Sequence, residues 1–174
     1  MFELVVLLFE ICTLKKAPQD FPYSMQFLKL LVIINLVVNF LLTSITERWF
    51  IALLKAIIVL IVIFGFIGIC LLVVKKTARF CQTVCSLLGA DALISLLSLP
   101  AIAAISLNQG GMAGFLLINA LMIWYLVITG HIIRHALEQG FGFSLGLAFL
   151  YLLLSYQASA LLDTLLIKLG LHYG

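Results

Sequence analysis

Charge is what this chain has least of. Of 174 residues only 10% are charged, ten basic and seven acidic, while 65% are apolar. An ordinary soluble domain carries about 25% charged and roughly 45–50% apolar residues, and it needs polar side chains to cover a large surface. This composition excludes a soluble globular domain, and equally a disordered tail. Four cysteines are too few for a disulfide scaffold, and three prolines interrupt little. Chemistry-bearing motifs are missing as well. The chain holds no P-loop, no GxSxG elbow, no catalytic carboxylate pair and no Gly-rich dinucleotide fingerprint. Long polar loops are absent too, so any chemistry must sit inside an apolar bundle or at its rim.

Long hydrophobic runs are what remain. A helix that crosses a bilayer needs about 20 mostly apolar residues, and five stretches qualify: 25–45, 50–74, 81–107, 112–133 and 143–167. The breaks are short: Thr46-Glu47-Arg48, Lys75 to Arg79, the turn signal Asn108-Gln109-Gly110-Gly111, and Arg134 to Gly142. Connections this short make consecutive helices antiparallel neighbours. The expected fold class is therefore all-α: one integral membrane domain over 1–174, a polytopic bundle of five transmembrane helices.

Met1 to Leu14 is apolar but too short to span, lacks a basic n-region and has no small-x-small cleavage site. It reads as an interfacial or tucked-in helix, not a signal peptide, with Glu3 and Glu10 on one face. Pro18 and Pro22 end it and turn the chain into the first span.

Orientation follows from lysine and arginine placement. The side holding the N-terminus receives Lys15, Lys16, Lys29, Lys75, Lys76, Arg79 and Arg134; the opposite side receives Arg48, Lys55 and Lys168. The N-terminus is expected in the cytoplasm and the C-terminus outside. Cys12, Cys70, Cys81 and Cys85 then fall on or near the cytoplasmic side, where thiols stay reduced. The net charge of +3 is a topology signal and offers no nucleic-acid surface. Trp49 suits an interface, whereas Trp124 falls well inside the fourth span, where packing or a polar contact must hold it.

The few polar residues in the spans carry the functional candidates. Asp91 lies about 12 residues past Arg79, or roughly 18 Å along a helix, near the bilayer midplane. A carboxyl there is a proton or cation relay, a substrate contact, or inter-helix glue bonded to Asn35, Asn39 or Gln157 at similar depth. The glue is the favoured reading, because a relay needs several carboxylates along a path. Lys55 and Asp163, on different helices near the outer interface, can pair, or Lys55 can snorkel alone.

His131, Arg134, His135 and Glu138 occupy i, i+3, i+4 and i+7 at the end of the fourth span, one helix face. With Cys81 and Cys85, also four apart, a Cys2His2 metal site is conceivable, although no CxxC or HExxH pattern accompanies it. The plainer reading is a polar helix end facing water and head groups, where His and Arg suit the helix dipole. Gly65, Gly68, Gly89 and the pair Gly142 and Gly146 predict close helix packing, and Pro100 predicts a kink in the third span, with Ser95 and Ser98 able to satisfy freed backbone groups.

Three stretches carry a resemblance: Lys16-Ala17-Pro18-Gln19-Asp20-Phe21-Pro22-Tyr23-Ser24; Ala78-Arg79-Phe80-Cys81-Gln82-Thr83 with Leu88-Gly89-Ala90-Asp91-Ala92-Leu93 and Pro100; and Trp124 to Leu137 with its Gly-His-Ile-Ile-Arg-His-Ala-Leu core. Together they resemble a group of small, uncharacterised inner-membrane proteins of Gram-negative bacteria. The five-helix layout is similar to that of Yip1-like membrane proteins. Those of eukaryotes bind small GTPases through a long polar N-terminal region, and only 24 residues precede the first span here. The resemblance implies a bacterial inner-membrane address and no mechanism.

The expected function is a non-enzymatic scaffold or accessory subunit of a membrane complex. The expected partners are the lipid bilayer and other membrane proteins or further copies of the chain, without nucleic acid and without a cofactor. The alternatives are a small channel or transporter built on Asp91, and a metal or redox protein built on His131, His135, Cys81 and Cys85.

Overall fold

The computed structural model describes the backbone of residues 2–21, 23–107 and 111–168, and the side chains of all of these except 2–5 and 20. The expected turn at 108–110, Pro22 and the Glu3 side chain lie outside the described residues.

Among the described residues six α-helices follow one another: α1 (Phe2–Cys12), α2 (Met25–Ser44), α3 (Trp49–Val73), α4 (Phe80–Ser106), α5 (Gly111–Leu137) and α6 (Phe141–Lys168), with single 3-10 turns at Pro18–Asp20 and Thr77–Arg79. The last five are long and apolar enough to cross a membrane. These helices coincide with the expected stretches to within about two residues except at one connection. α5 runs past Ile133 to Leu137, carrying Arg134 and His135 in its last turn beyond the apolar stretch, and α6 begins at Phe141.

The spans form a closed ring in the order α2, α3, α6, α5, α4, with α4 also touching α3 and α1. α4 takes the central place because small side chains line it: Cys81, Thr83, Cys85, Ser86, Gly89, Ala90, Ser95 and Ala101 are all buried. Lipid tails are as apolar as leucine, so apolar burial drives little association here. Close packing and polar bonds must hold the helices.

Local signals set the helix ends. Ser24 caps α2, its Oγ accepting from the Phe27 amide at 3.3 Å. At one rim α1, α3 and α5 end alike. Leu14, Lys75 and Glu138 adopt left-handed φ values of 65°, 59° and 56°. The next amide then bonds back five residues, Lys15 to the Glu10 carbonyl, Lys76 to Leu71 and Gln139 to Arg134. This closure satisfies carbonyls that a helix end leaves orphaned.

The close-packing glycines are not mainly the expected ones. A Cβ at Gly65, Gly142 or Gly146 would meet nothing within 4 Å. These three are corrected to open positions. At Gly89 a Cβ would collide with the Leu8 side chain, and at Gly130 and Gly114 it would come within 3.2 Å of Leu145 and Ile105. Gly89 is thus the place where α1 lies directly on α4. The N-terminal helix packs on α4 and α5, with Ile11 and Cys12 buried.

Candidate functional site

Asp91 projects from the middle of α4 and is buried. Its Oδ2 accepts two hydrogen bonds from α2, one from Asn35 Nδ2 at 2.8 Å and one from Asn39 Nδ2 at 2.9 Å. The two asparagines stand four apart, on one helix face. Asn35 Nδ2 also donates to the Leu88 carbonyl at 3.1 Å, and Asn39 Nδ2 to the Asn35 carbonyl at 3.1 Å. From α5 the Tyr125 hydroxyl faces the same carboxyl. It pairs with the Tyr151 hydroxyl of α6 at 3.1 Å, and the Tyr151 ring leans on Phe66 of α3 at 5.5 Å between centroids.

Four spans thus meet in one buried polar row: Asn39, Asn35, Asp91, Tyr125, Tyr151. The amides supply donors, the carboxyl supplies acceptor sites, and each tyrosine hydroxyl can do either. Such an arrangement joins helices, and its hydroxyls also form a line along which a proton could pass.

Of the expected partners of Asp91, Asn35 and Asn39 are there and Gln157 is not. Gln157 matches in depth but is exposed on the outer face of α6. Tyr125 and Tyr151 escaped sequence reasoning. Their signal was available, since a tyrosine hydroxyl in an apolar helix requires a partner.

The rim holding the N-terminus forms a second polar region. Trp124 Nε1 donates to the Cys12 carbonyl at 3.1 Å, which is the polar contact its depth required. His131 Nε2 meets the Lys16 carbonyl at 3.0 Å, and Gln19 Nε2 donates to the His135 carbonyl at 2.9 Å. Gln82 Nε2 donates to the Phe21 carbonyl at 2.7 Å. These bonds strap the segment after α1 over the ends of α4 and α5. The expectation that the His131 to Glu138 face meets water is therefore corrected in part. His131 is buried beneath the strap, its ring 4.5 Å from that of His135, while Arg134 and Glu138 are exposed. Glu138 binds Lys76 and Arg79, and these two cations hold its carboxyl below the usual range, Lys76 contributing most. Burial pushes the Cys12 thiol up to about 11.

Cys81 and Cys85 are buried on α4, but no three His, Cys, Asp or Glu side chains among the described residues come together to hold a metal ion. The Cys2His2 arrangement is not assembled. At the opposite rim Lys55 pairs with Asp163 at 2.9 Å, as its position suggested, and also with Glu47 at 3.1 Å. A cavity of about 400 Å³ between α1, α2 and α4 is apolar throughout, lined among others by Leu8, Phe27, Leu31, Ile34, Gly89 and Leu93. It offers no polar group to a hydrophilic ligand.

No family model, curated protein or solved structure matches this chain.

Proposed function

We propose that this chain is a non-enzymatic protein of the bacterial inner membrane, with its N-terminus cytoplasmic and its C-terminus periplasmic. It acts through helix packing, as a scaffold or accessory subunit of a membrane complex. One observation carries the reading. The most costly group in the membrane, the Asp91 carboxyl, is buried and bonded by donors from α2, with a hydroxyl from α5 facing it. An ionisable group inside a bilayer is tolerated where it is bonded within the bundle, and here those bonds fix the relative rotation of four spans. The test is affinity purification from native membranes at native expression, with gentle solubilisation. A foreign membrane subunit recovered in stoichiometric amount supports the reading; recovery of this chain alone overturns it.

A second reading is favoured by the extension of the network through Tyr125 and Tyr151. In it the chain is a small channel or transporter, and Asp91 carries a proton or cation. Flux in proteoliposomes that is unchanged by Asp91→Asn removes that role.

A further inference from the structure

The face of α6 turned away from the bundle does not read as a plain lipid face. α6 buries only Ser144, Ala148, Tyr151 and Leu166. Opposite them lie Gly146, Leu150, Leu153, Gln157, Ala160 and Thr164, all exposed or half-exposed. Their spacing alternates four and three, the 3.5-residue period of a left-handed two-helix seam. Gln157 sits 11 residues before Lys168, roughly 16 Å along the helix. That distance is too great for an amide to reach the interface. Asn119, also exposed, returns its amide to the Phe115 carbonyl at 2.8 Å of its own helix. Gln157 has no hydrogen bond among the described residues, and an amide left bare in hydrocarbon is unfavourable.

We infer that this face of α6 is the contact between two copies of the chain, closed by Gln157 on Gln157. The occupant follows from symmetry and chemistry. All copies share one orientation in the membrane, so two α6 helices run parallel and each residue meets its own counterpart at the same depth. A carboxamide carries both donor and acceptor and is self-complementary. A single polar residue in an otherwise apolar seam is the device that fixes register and strand number. Gly146, where an added Cβ would meet nothing within 4 Å inside the chain, lets the two backbones approach at one end of the seam. The inference rests on α6 alone and is independent of the scaffold reading. Recovery of a second, differently tagged copy tests the one, and recovery of a foreign subunit tests the other.

The experiment uses the full chain in native membranes and in phosphatidylethanolamine–phosphatidylglycerol liposomes. Under oxidation, Leu153→Cys is expected to give a covalent dimer. Ile69→Cys, on the exposed face of α3, and the unsubstituted chain are not. Gln157→Leu is expected to raise the dimer dissociation constant about threefold to tenfold, with Gln157→Asn close to the original and Gly146→Phe weaker still. Leu153→Cys that links no better than Ile69→Cys overturns the inference. So does a dissociation constant indifferent to Gln157→Leu, or a foreign subunit seated on α6 with no dimer formed.

Discussion

α4 and α6 are both long membrane-spanning helices with one conspicuous polar side chain near mid-depth, and they treat it in opposite ways. Asp91 of α4 is buried and accepts two hydrogen bonds from α2. Gln157 of α6 faces outward with none among the described residues. The difference lies in the neighbours on each helix. Around Asp91, Gly89, Ala90, Ala92 and Ser95 are small and allow α2, α5 and α1 to close in. Around Gln157, α6 touches α5 and α3 along one side only. Within the chain, then, a polar side chain is bonded where small flanking residues let neighbouring helices close in, as at Asp91, and stands open where they do not, as at Gln157.

The largest expected effect would test that contrast directly. Asp91→Leu removes the acceptor shared by Asn35 and Asn39 and leaves each amide only its bond to a backbone carbonyl or neighbouring amide, and a buried donor that loses its partner costs about 1–3 kcal/mol. Asp91→Asn keeps an acceptor oxygen and should lose less. Gln157→Leu breaks no bond within the chain and should leave the stability of the monomer unchanged. Denaturant titration in mild detergent measures all three. Equal losses for Asp91→Leu and Gln157→Leu would break the comparison.

A smaller effect concerns the docking of α1 on the small-residue surface of α4. A Cβ at Gly89 would collide with Leu8, so Gly89→Val should push α1 away and uncover Cys12. The Cys12 thiol is held up to about 11 by burial, against an ordinary value of 9.0. A thiol with a raised folded pKa contributes its full stabilisation below the unfolded value and loses it as pH rises from about 9 towards 11. Alkylation of Cys12 by a membrane-permeant maleimide near neutral pH should be slow in the original chain. It should quicken about tenfold in Gly89→Val, the equivalent of about 1.4 kcal/mol of lost docking. Peptide mapping separates Cys12 from Cys70, Cys81 and Cys85. An unchanged rate would mean that α1 adjusts around the added side chain.

What could be read from the residues was depth, and what could not was rotation. Hydropathy placed all five spans and put Asn35, Asn39, Asp91, Tyr125, Tyr151 and Gln157 within the membrane. In helices apolar on every side no polar face fixes the azimuth. Depth alone therefore makes Gln157 as eligible a partner of Asp91 as Asn35 or Asn39, although it faces outward, and gives no sign that Tyr125 and Tyr151 turn inward. The same limit explains the glycines: Gly142 and Gly146 fit a small-xxx-small pattern, yet Gly89, Gly114 and Gly130 carry the close contacts. The opposite charges of Lys55 and Asp163 were more legible, because meeting lowers the cost of both wherever their helices are turned, and Glu47 joins them. The strap over His131 was not legible, since it depends on backbone carbonyls of residues 16 to 21, which leave no mark on side-chain patterns.

The smallest effect belongs to the rim, where water screens what the membrane interior does not. Glu138 binds both Lys76 and Arg79, and its carboxyl is held below its ordinary value of 4.5, chiefly by Lys76. A depressed carboxylate contributes its stabilisation above the unfolded value and loses it as pH falls through the folded one. Glu138→Gln should therefore lower the unfolding midpoint slightly at neutral pH, far less than Asp91→Leu. The gap from the original chain should close as acid protonates Glu138, and it should also shrink in high salt, because exposed ion pairs are screened. A Glu138→Gln loss as large as that of Asp91→Leu, and insensitive to salt, would place the bundle's principal lock at the strap and not at the midplane.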